Sequence, residues 1–177
     1  MATQDVATRE GADPAWVADF IERWTNAWNT HDADALLSLM TDDIVYDDSA
    51  WPKTMRSHAD VREFLDYSWR AFPDLRFEPR VGPYLKAGEP IAAFWWDGSG
   101  THTGPLVPPG LAPTGKRMEF DGADFHEYRD GKVARVRIVF DMADVMRQLG
   151  VLPPAGGAQE RMLSKVTNVR TKLSRRS

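Results

Sequence analysis

The apolar positions of this chain are spaced differently in its first and middle parts. From residue 14 to 72 they recur three and four apart, and from 75 to 140 they alternate in twos. Trp16, Val17, Phe20, Ile21, Trp24, Ala27 and Trp28 fall on one helical face, started by Asp13 as an N-cap with Pro14 behind it. Asn29-Thr30-His31 breaks that helix. Asp32 caps a second, shorter one through Leu36, Leu37 and Met40. Ile44 to Asp48 reads as a short strand. Ser57 and Asp60 form a capping box for a third helix, whose face is Val61, Phe64, Leu65, Trp69 and Phe72 and which ends at Pro73.

Strands follow. Residues 75–85 make a weak one, broken by Pro79, Gly82 and Pro83, which suits an edge or a bulge. Residues 90–102 make a strong one around Ile91 to Trp96. Four prolines and three glycines in 103–115 predict a long ordered loop or lid. Residues 116–129 form the next strand, and Asp130-Gly131 is a tight hairpin turn into the last. That strand runs into Asp141, and a short helix carrying Val145, Met146 and Leu149 ends at Gly150. Helices first and hairpin-linked strands afterwards predict an α+β fold. A curved, mostly antiparallel sheet would wrap around three N-terminal helices to form a cone with an apolar pocket. The expected organisation is a disordered N-terminus (1–12), a cone domain (13–152) and a basic C-terminal tail (153–177).

Composition narrows the function. Of 177 residues, 42% are hydrophobic, enough for one sizeable core, and seven Trp, eight Phe and four Tyr make it aromatic. The net charge of −4 argues against nucleic acid or an anionic membrane as partner. Charge is uneven: residues 161–177 carry +6 and the rest −10. In the tail, Met162, Leu163, Val166, Val169 and Leu173 make a narrow helical stripe, which suits either docking or a solvated, frayed end. There is no cysteine, no basic-then-apolar leader and no membrane-length apolar run, so the expected location is cytoplasmic.

Several polar residues stand where chemistry could sit. On the last strand Arg137, Val139 and Asp141 share one side, and Val136, Ile138 and Phe140 the other. A carboxylate against apolar walls makes a general acid or base, because desolvation lifts its pKa. Asp141 with Asp144 behind it is equally a helix cap. His102, at a strand end, is an acid, base or donor if it faces the pocket and structural otherwise. Asp124, His126 and Tyr128 share a face. Asp124, His126 and Asp141 could converge across neighbouring strands, although at least one of the three is expected to face solvent. Tyr46 shares a face with Asp48 and is either a donor into the pocket or core. Trp24 and Trp28 read as core and pocket wall at once. Trp95 and Trp96 point to opposite faces, so one should line the pocket and the other should face outward, which favours a homodimer through the sheet. No histidines have metal-ligand spacing and no glycine-rich phosphate loop occurs, so neither a metal nor a cofactor is expected.

Four segments together resemble a known family. They are Trp24 to Asp32, Asp42 to Tyr46, Gly100-Thr-His-Thr-Gly-Pro through Pro113-Thr-Gly-Lys-Arg, and Asp130-Gly-Lys-Val leading to Phe140-Asp141 and Gln148-Leu-Gly150. The chain resembles the SnoaL-like polyketide cyclases, within the cone fold shared by ketosteroid isomerase and nuclear transport factor two. That resemblance implies a cofactor-free aldol-type ring closure on a hydrophobic polyketide carbonyl compound. It implies Asp141 as the acid/base and His102 in the pocket; the enolate also needs a donor or cation where charge develops, which His102 or Arg137 could supply. Tyr46, Trp24, Trp28, Asp124 and His126 would bind the substrate. Arg137 beside Asp141 would lower the aspartate's pKa. It also resembles the limonene epoxide hydrolase branch, but the final aspartate of that Asp-Arg-Asp set falls on Ile138. The alternatives are therefore an epoxide hydrolase or isomerase on the same scaffold, or a non-catalytic small-molecule binder.

Overall fold

The computed structural model describes residues 7–8, 11–107 and 110–174. The rest of the expected N-terminal segment, Pro108-Pro109 of the loop, and residues 175–177 of the tail lie outside the described residues. The elements run β1 (Ala7–Thr8), β2 (Gly11–Ala12), α1 (Pro14–Asn29), α2 (Ala33–Ser38), β3 (Met40–Asp48), α3 (His58–Ala71), β4 (Arg76–Leu85), β5 (Ile91–Thr101), β6 (Arg117–Arg129), β7 (Lys132–Phe140), α4 (Met142–Gln148) and α5 (Ala158–Ser174). The five-stranded sheet has the order β3-β7-β6-β5-β4. Within this sheet, among the described residues, β3 and β7 pair in parallel and the β4–β5, β5–β6 and β6–β7 pairings are antiparallel.

Local chemistry starts and stops these elements. Asp13 caps α1 by accepting from Trp16 N at 2.8 Å, Asp32 caps α2 through Ala35 N at 2.9 Å, and Ser57 caps α3 through Asp60 N at 3.1 Å. Asn29 ends α1 and acts as a strand partner. Its amide donates to Phe77 O and accepts from Phe77 N, both at 2.8 Å, which ties α1 to the edge strand β4. Pro79, Gly82 and Pro83 do sit on that edge, where register shifts occur.

The apolar stripe of α1 is buried from Val17 to Trp28. Phe20 and Trp24 lay their rings against His126 and Tyr128 of β6, at centroid separations of 4.8 to 6.0 Å. Each fully buried aromatic of this size stabilises the fold by about 2 kcal/mol, so these contacts, with those of Asn29 and Trp28 to Phe77 of β4, hold α1 on the sheet. The even-numbered residues of β5 and β6 face the helices and the odd-numbered ones face away. Trp96 is buried and Trp95, its neighbour, is 43% exposed with Phe125 beside it on the outer face.

Candidate active site

Between the helices and the inner sheet face lies a cavity of about 720 Å³, a size that suits a multi-ring molecule. Trp24, Trp28, Phe94, Trp96, Phe120 and Leu149 supply much of its wall. Few polar side chains reach it, and Asp48 and Asp124 are the carboxyls among them.

Strand register explains why those two share the inner face. Asp48 of β3 pairs with Ile138 of β7, and Ile138 pairs in turn with Asp124 of β6. Residues in one such row point to one face. Ile138 therefore forms the floor, with a carboxyl on either side. The next row inward is Tyr46, Val136 and His126, all fully buried.

Asp124 is 3% exposed and its carboxyl is tightly held. Trp96 Nε1 donates to Oδ1 at 2.7 Å, and His126 Nε2 lies 3.3 Å from Oδ2. A carboxylate can only accept, so the network assigns the proton to His126 Nε2. His126 Nδ1 is then the acceptor for the Tyr128 hydroxyl at 3.2 Å. Burial and the charge of Asp124 push the Tyr128 phenol well up, so it keeps that proton. Gly122 makes the arrangement possible. It sits opposite Trp96 in the β5–β6 pair, and a Cβ there would lie 2.5 Å from Trp96 Cη2 and Cζ2. Without a side chain at 122, the indole lies flat over the strand and reaches Asp124.

Asp48, at the end of β3, is partly buried and is pushed up to about 7, first by desolvation and then by the charge of Asp124. Ala50 N, donating to Oδ1 at 2.7 Å, opposes the shift without cancelling it. Burial, Asp48 and Asp124 likewise push Tyr46 well up, and its hydroxyl has no partner among the described residues. Tyr46 therefore remains a neutral O–H close to both carboxyls.

The other residues singled out from sequence lie elsewhere. Asp141 is exposed and accepts from Asp144 N at 3.0 Å as the N-cap of α4. It is not among the cavity-lining residues. Of Asp124, His126 and Asp141, it is the one that faces solvent. Arg137 is also exposed; it lines a separate polar pocket of about 250 Å³ with Asp47, Lys53 and Thr54. The side of β7 carrying Arg137 is the outer one, because the wholly apolar set Val136, Ile138 and Phe140 takes the inner face. Arg137 and Asp141 thus do not meet Asp124.

His102 is fully buried but does not line the cavity. Its Nδ1 accepts from Thr114 N at 3.2 Å, and its backbone pairs with Gly115 and Lys116. Desolvation holds its pKa below the ordinary value. It is a neutral staple for the 103–115 loop. Gly104 of that loop crosses α3 so closely that a Cβ would lie 1.8 Å from Arg70 O. This brings Leu106 and Leu111 over the cavity. Asp48 was the group sequence reasoning passed over. Its signal was present: a carboxyl two residues after an inward tyrosine on a strand that starts in core.

The Gln148-Leu149-Gly150 motif also gains a physical account. The Gln148 amide accepts from Glu119 N at 2.9 Å and donates to Glu119 O at 2.7 Å, pinning α4 to β6. Leu149 then enters the cavity wall, and Gly150 takes the positive φ of 81° that ends the helix.

A cone-shaped α+β scaffold with a mixed, unclosed sheet and an apolar, carboxyl-bearing cavity defines the class. The sequence profile of the SnoaL-like polyketide cyclases matches residues 18–149, and the chain belongs to that family. Among solved structures it is similar to AclR of Streptomyces galilaeus, a protein assigned as a hydroxylase. That pair shares 27% identity at a TM-score of 0.66 over 80% of this chain and 100% of that one. A protein of Jannaschia sp. CCS1 assigned as a SnoaL-like polyketide cyclase shares the fold at 18% identity and TM-score 0.68, covering 85% of this chain and 99% of that one. IdmH of Streptomyces antibioticus, assigned as a polyketide cyclase, does so at 23% and 0.62, covering 75% and 97%. No curated protein matches the chain in sequence.

Proposed function

We propose that this protein is a cofactor-free acid–base catalyst acting on an apolar, polyketide-type carbonyl compound. One observation carries the reading: a buried carboxyl, Asp124, held by Trp96 and His126, on the floor of an apolar cavity. Asp124 takes the proton from a carbon beside a carbonyl. The bonding pair passes into an enolate, which attacks a second carbonyl carbon of the same molecule, forming the C–C bond. The oxygen of that second carbonyl takes up a proton. Water exclusion by the aromatic wall strengthens every charge interaction in this sequence. His126 and Trp96 are positioning residues: each holds one oxygen of Asp124 and so fixes the carboxyl on the cavity floor, with remaining lone pairs for the substrate proton.

The test is hydrogen–deuterium exchange at the acidic CH₂ of 2-tetralone, a fused-ring ketone, followed by NMR. Asp124→Asn is expected to slow the protein-catalysed exchange by about 1,000-fold, within the span of general base catalysis, while tetralone still binds. Equal exchange by the variant and the parent would leave a binding protein.

A further inference from the structure

We propose that Asp48 is a second catalytic residue, the acid that protonates the oxygen as Asp124 removes the carbon-bound proton. This rests on the reading of Asp124 as the base. Three observations carry it. First, the register places Asp48 and Asp124 on the two sides of Ile138, both lining the one cavity. Two strand spacings separate their backbones by about 10 Å, room for a folded dicarbonyl between the two carboxyls.

Second, the two carboxyls are dressed differently. Asp124 receives N–H donors on both oxygens, from Trp96 and His126. Asp48 receives one, from Ala50 N to Oδ1, which leaves Oδ2 to carry a proton. Its raised pKa, about 7, agrees with that assignment. A carboxyl that its environment keeps protonated can serve as the acid beside a second carboxyl that acts as the base.

Third, Asp48 alone of the two also borders the polar pocket of about 250 Å³ on the opposite side of the strand end. The charged and titratable groups around Asp48 are Asp47, Lys53 and Arg137 at that pocket, with Asp124 and Tyr46 on the cavity side. The pocket gives Asp48 a route to water that does not cross the apolar cavity.

The step balances. The C–H pair becomes the new C–C bond, the proton goes to Asp124, the carbonyl π pair becomes O–H, and that proton comes from Asp48. Exchange with water then returns one proton to Asp48 and removes one from Asp124. The implied substrate has its acidic carbon and its proton-accepting oxygen on opposite sides of a folded, multi-ring framework.

Two probes separate acid from base. Exchange into 2-tetralone needs both, since enolate oxygen must be stabilised as the proton leaves carbon. Ring opening of 5-nitrobenzisoxazole needs chiefly the base, because the nitrophenolate departs as a stable anion. Asp48→Asn is expected to slow tetralone exchange about 100-fold and benzisoxazole opening at least ten times less. It should also erase the fall in exchange rate that the parent shows as pH rises through about 7. Asp48→Glu should restore part of the rate and the pH limb. Equal loss on both probes, or a pH limb that survives in Asp48→Asn, overturns the assignment of Asp48 while leaving Asp124 in place. Unchanged rates on both probes in Asp124→Asn, or a parent that speeds neither reaction, overturns the underlying reading as well.

Discussion

The two faces of the β6–β7 hairpin are made from the same strands and lead opposite chemical lives. On the inner face Asp124 and His126 are buried, bonded to each other, and backed by the aromatic wall of α1. On the outer face Phe125 is 45% exposed, and Arg135 pairs with Glu127 in the open, with half of each side chain in water. An exposed pair of that kind contributes under about 1 kcal/mol. The difference teaches that parity, not residue type, decides whether a charged residue here is chemistry or solvation. A shift of one position moves a carboxylate from water to a place where its charge state becomes an energetic question.

The most forceful way to sharpen that contrast is to remove the cost carried by the inner face. The folded Asp48 titrates near 7 and the unfolded one near 3.8. Between those values the unfolded chain releases a proton that the folded one retains, so stability falls as pH rises and the full penalty is in place above about 7. Asp48→Asn should therefore stabilise the protein increasingly from about pH 4 to about pH 7 and by a constant amount beyond. The upper bound is about 4 kcal/mol, less what water in the cavity returns. Urea denaturation of both proteins at about pH 5 and about pH 8 measures it. Parallel pH dependences would mean a well-solvated carboxyl and would erase the contrast between the faces. Gly122→Ala comes next. The new Cβ meets the Trp96 ring, so the indole must lift and release Asp124. An overpacked position of this kind costs about 1–3 kcal/mol. Indole fluorescence should shift with it, and turnover should fall. A variant as stable and active as the parent would show that the Trp96 bond does not position Asp124.

Much of this was legible in the residues. The period change from helical to alternating spacing, the three caps and the Asp-Gly hairpin sufficed for an α+β cone, because each is a local rule that packing here did not override. The site was legible only in part. Asp124 and His126 could be placed on one face of one strand, but which face looked inward depended on pairing with β5 and β7. Arg137 and Asp141 made a conspicuous polar pair, but the plain apolar set Val136, Ile138 and Phe140 takes the inner face, which leaves Arg137 on the outer side and Asp141 as the cap of α4. The row Asp48–Ile138–Asp124 joins residues far apart in the sequence and exists only because β7 pairs with both β3 and β6. No spacing rule within one segment reaches that far. His102 likewise had the right residue type and a strand-end position, yet its Nδ1 is taken by Thr114 and the residue does not line the cavity.

The smallest effect, and the sharpest check on the comparison, concerns Asp141. It stands at the corner where the outer side of β7 turns into α4, and its visible task is to accept from Asp144 N. Asp141→Ala should cost about 1 kcal/mol, the worth of an N-cap. The loss loosens the first turn of a seven-residue helix that Gln148 still anchors at its other end. Met142, Val145 and Leu149 of that helical corner close the cavity. The change should therefore raise the apparent tetralone KM a few-fold and leave the rate at saturation nearly intact. A loss of saturated rate near the 100-fold typical of a missing acid or base, with tetralone binding retained, would put the chemistry at the outer corner. The inner row would then be reduced to packing. The two aspartates differ in burial, bonding and access to the cavity, and those differences favour Asp124 as the residue whose loss stops the reaction.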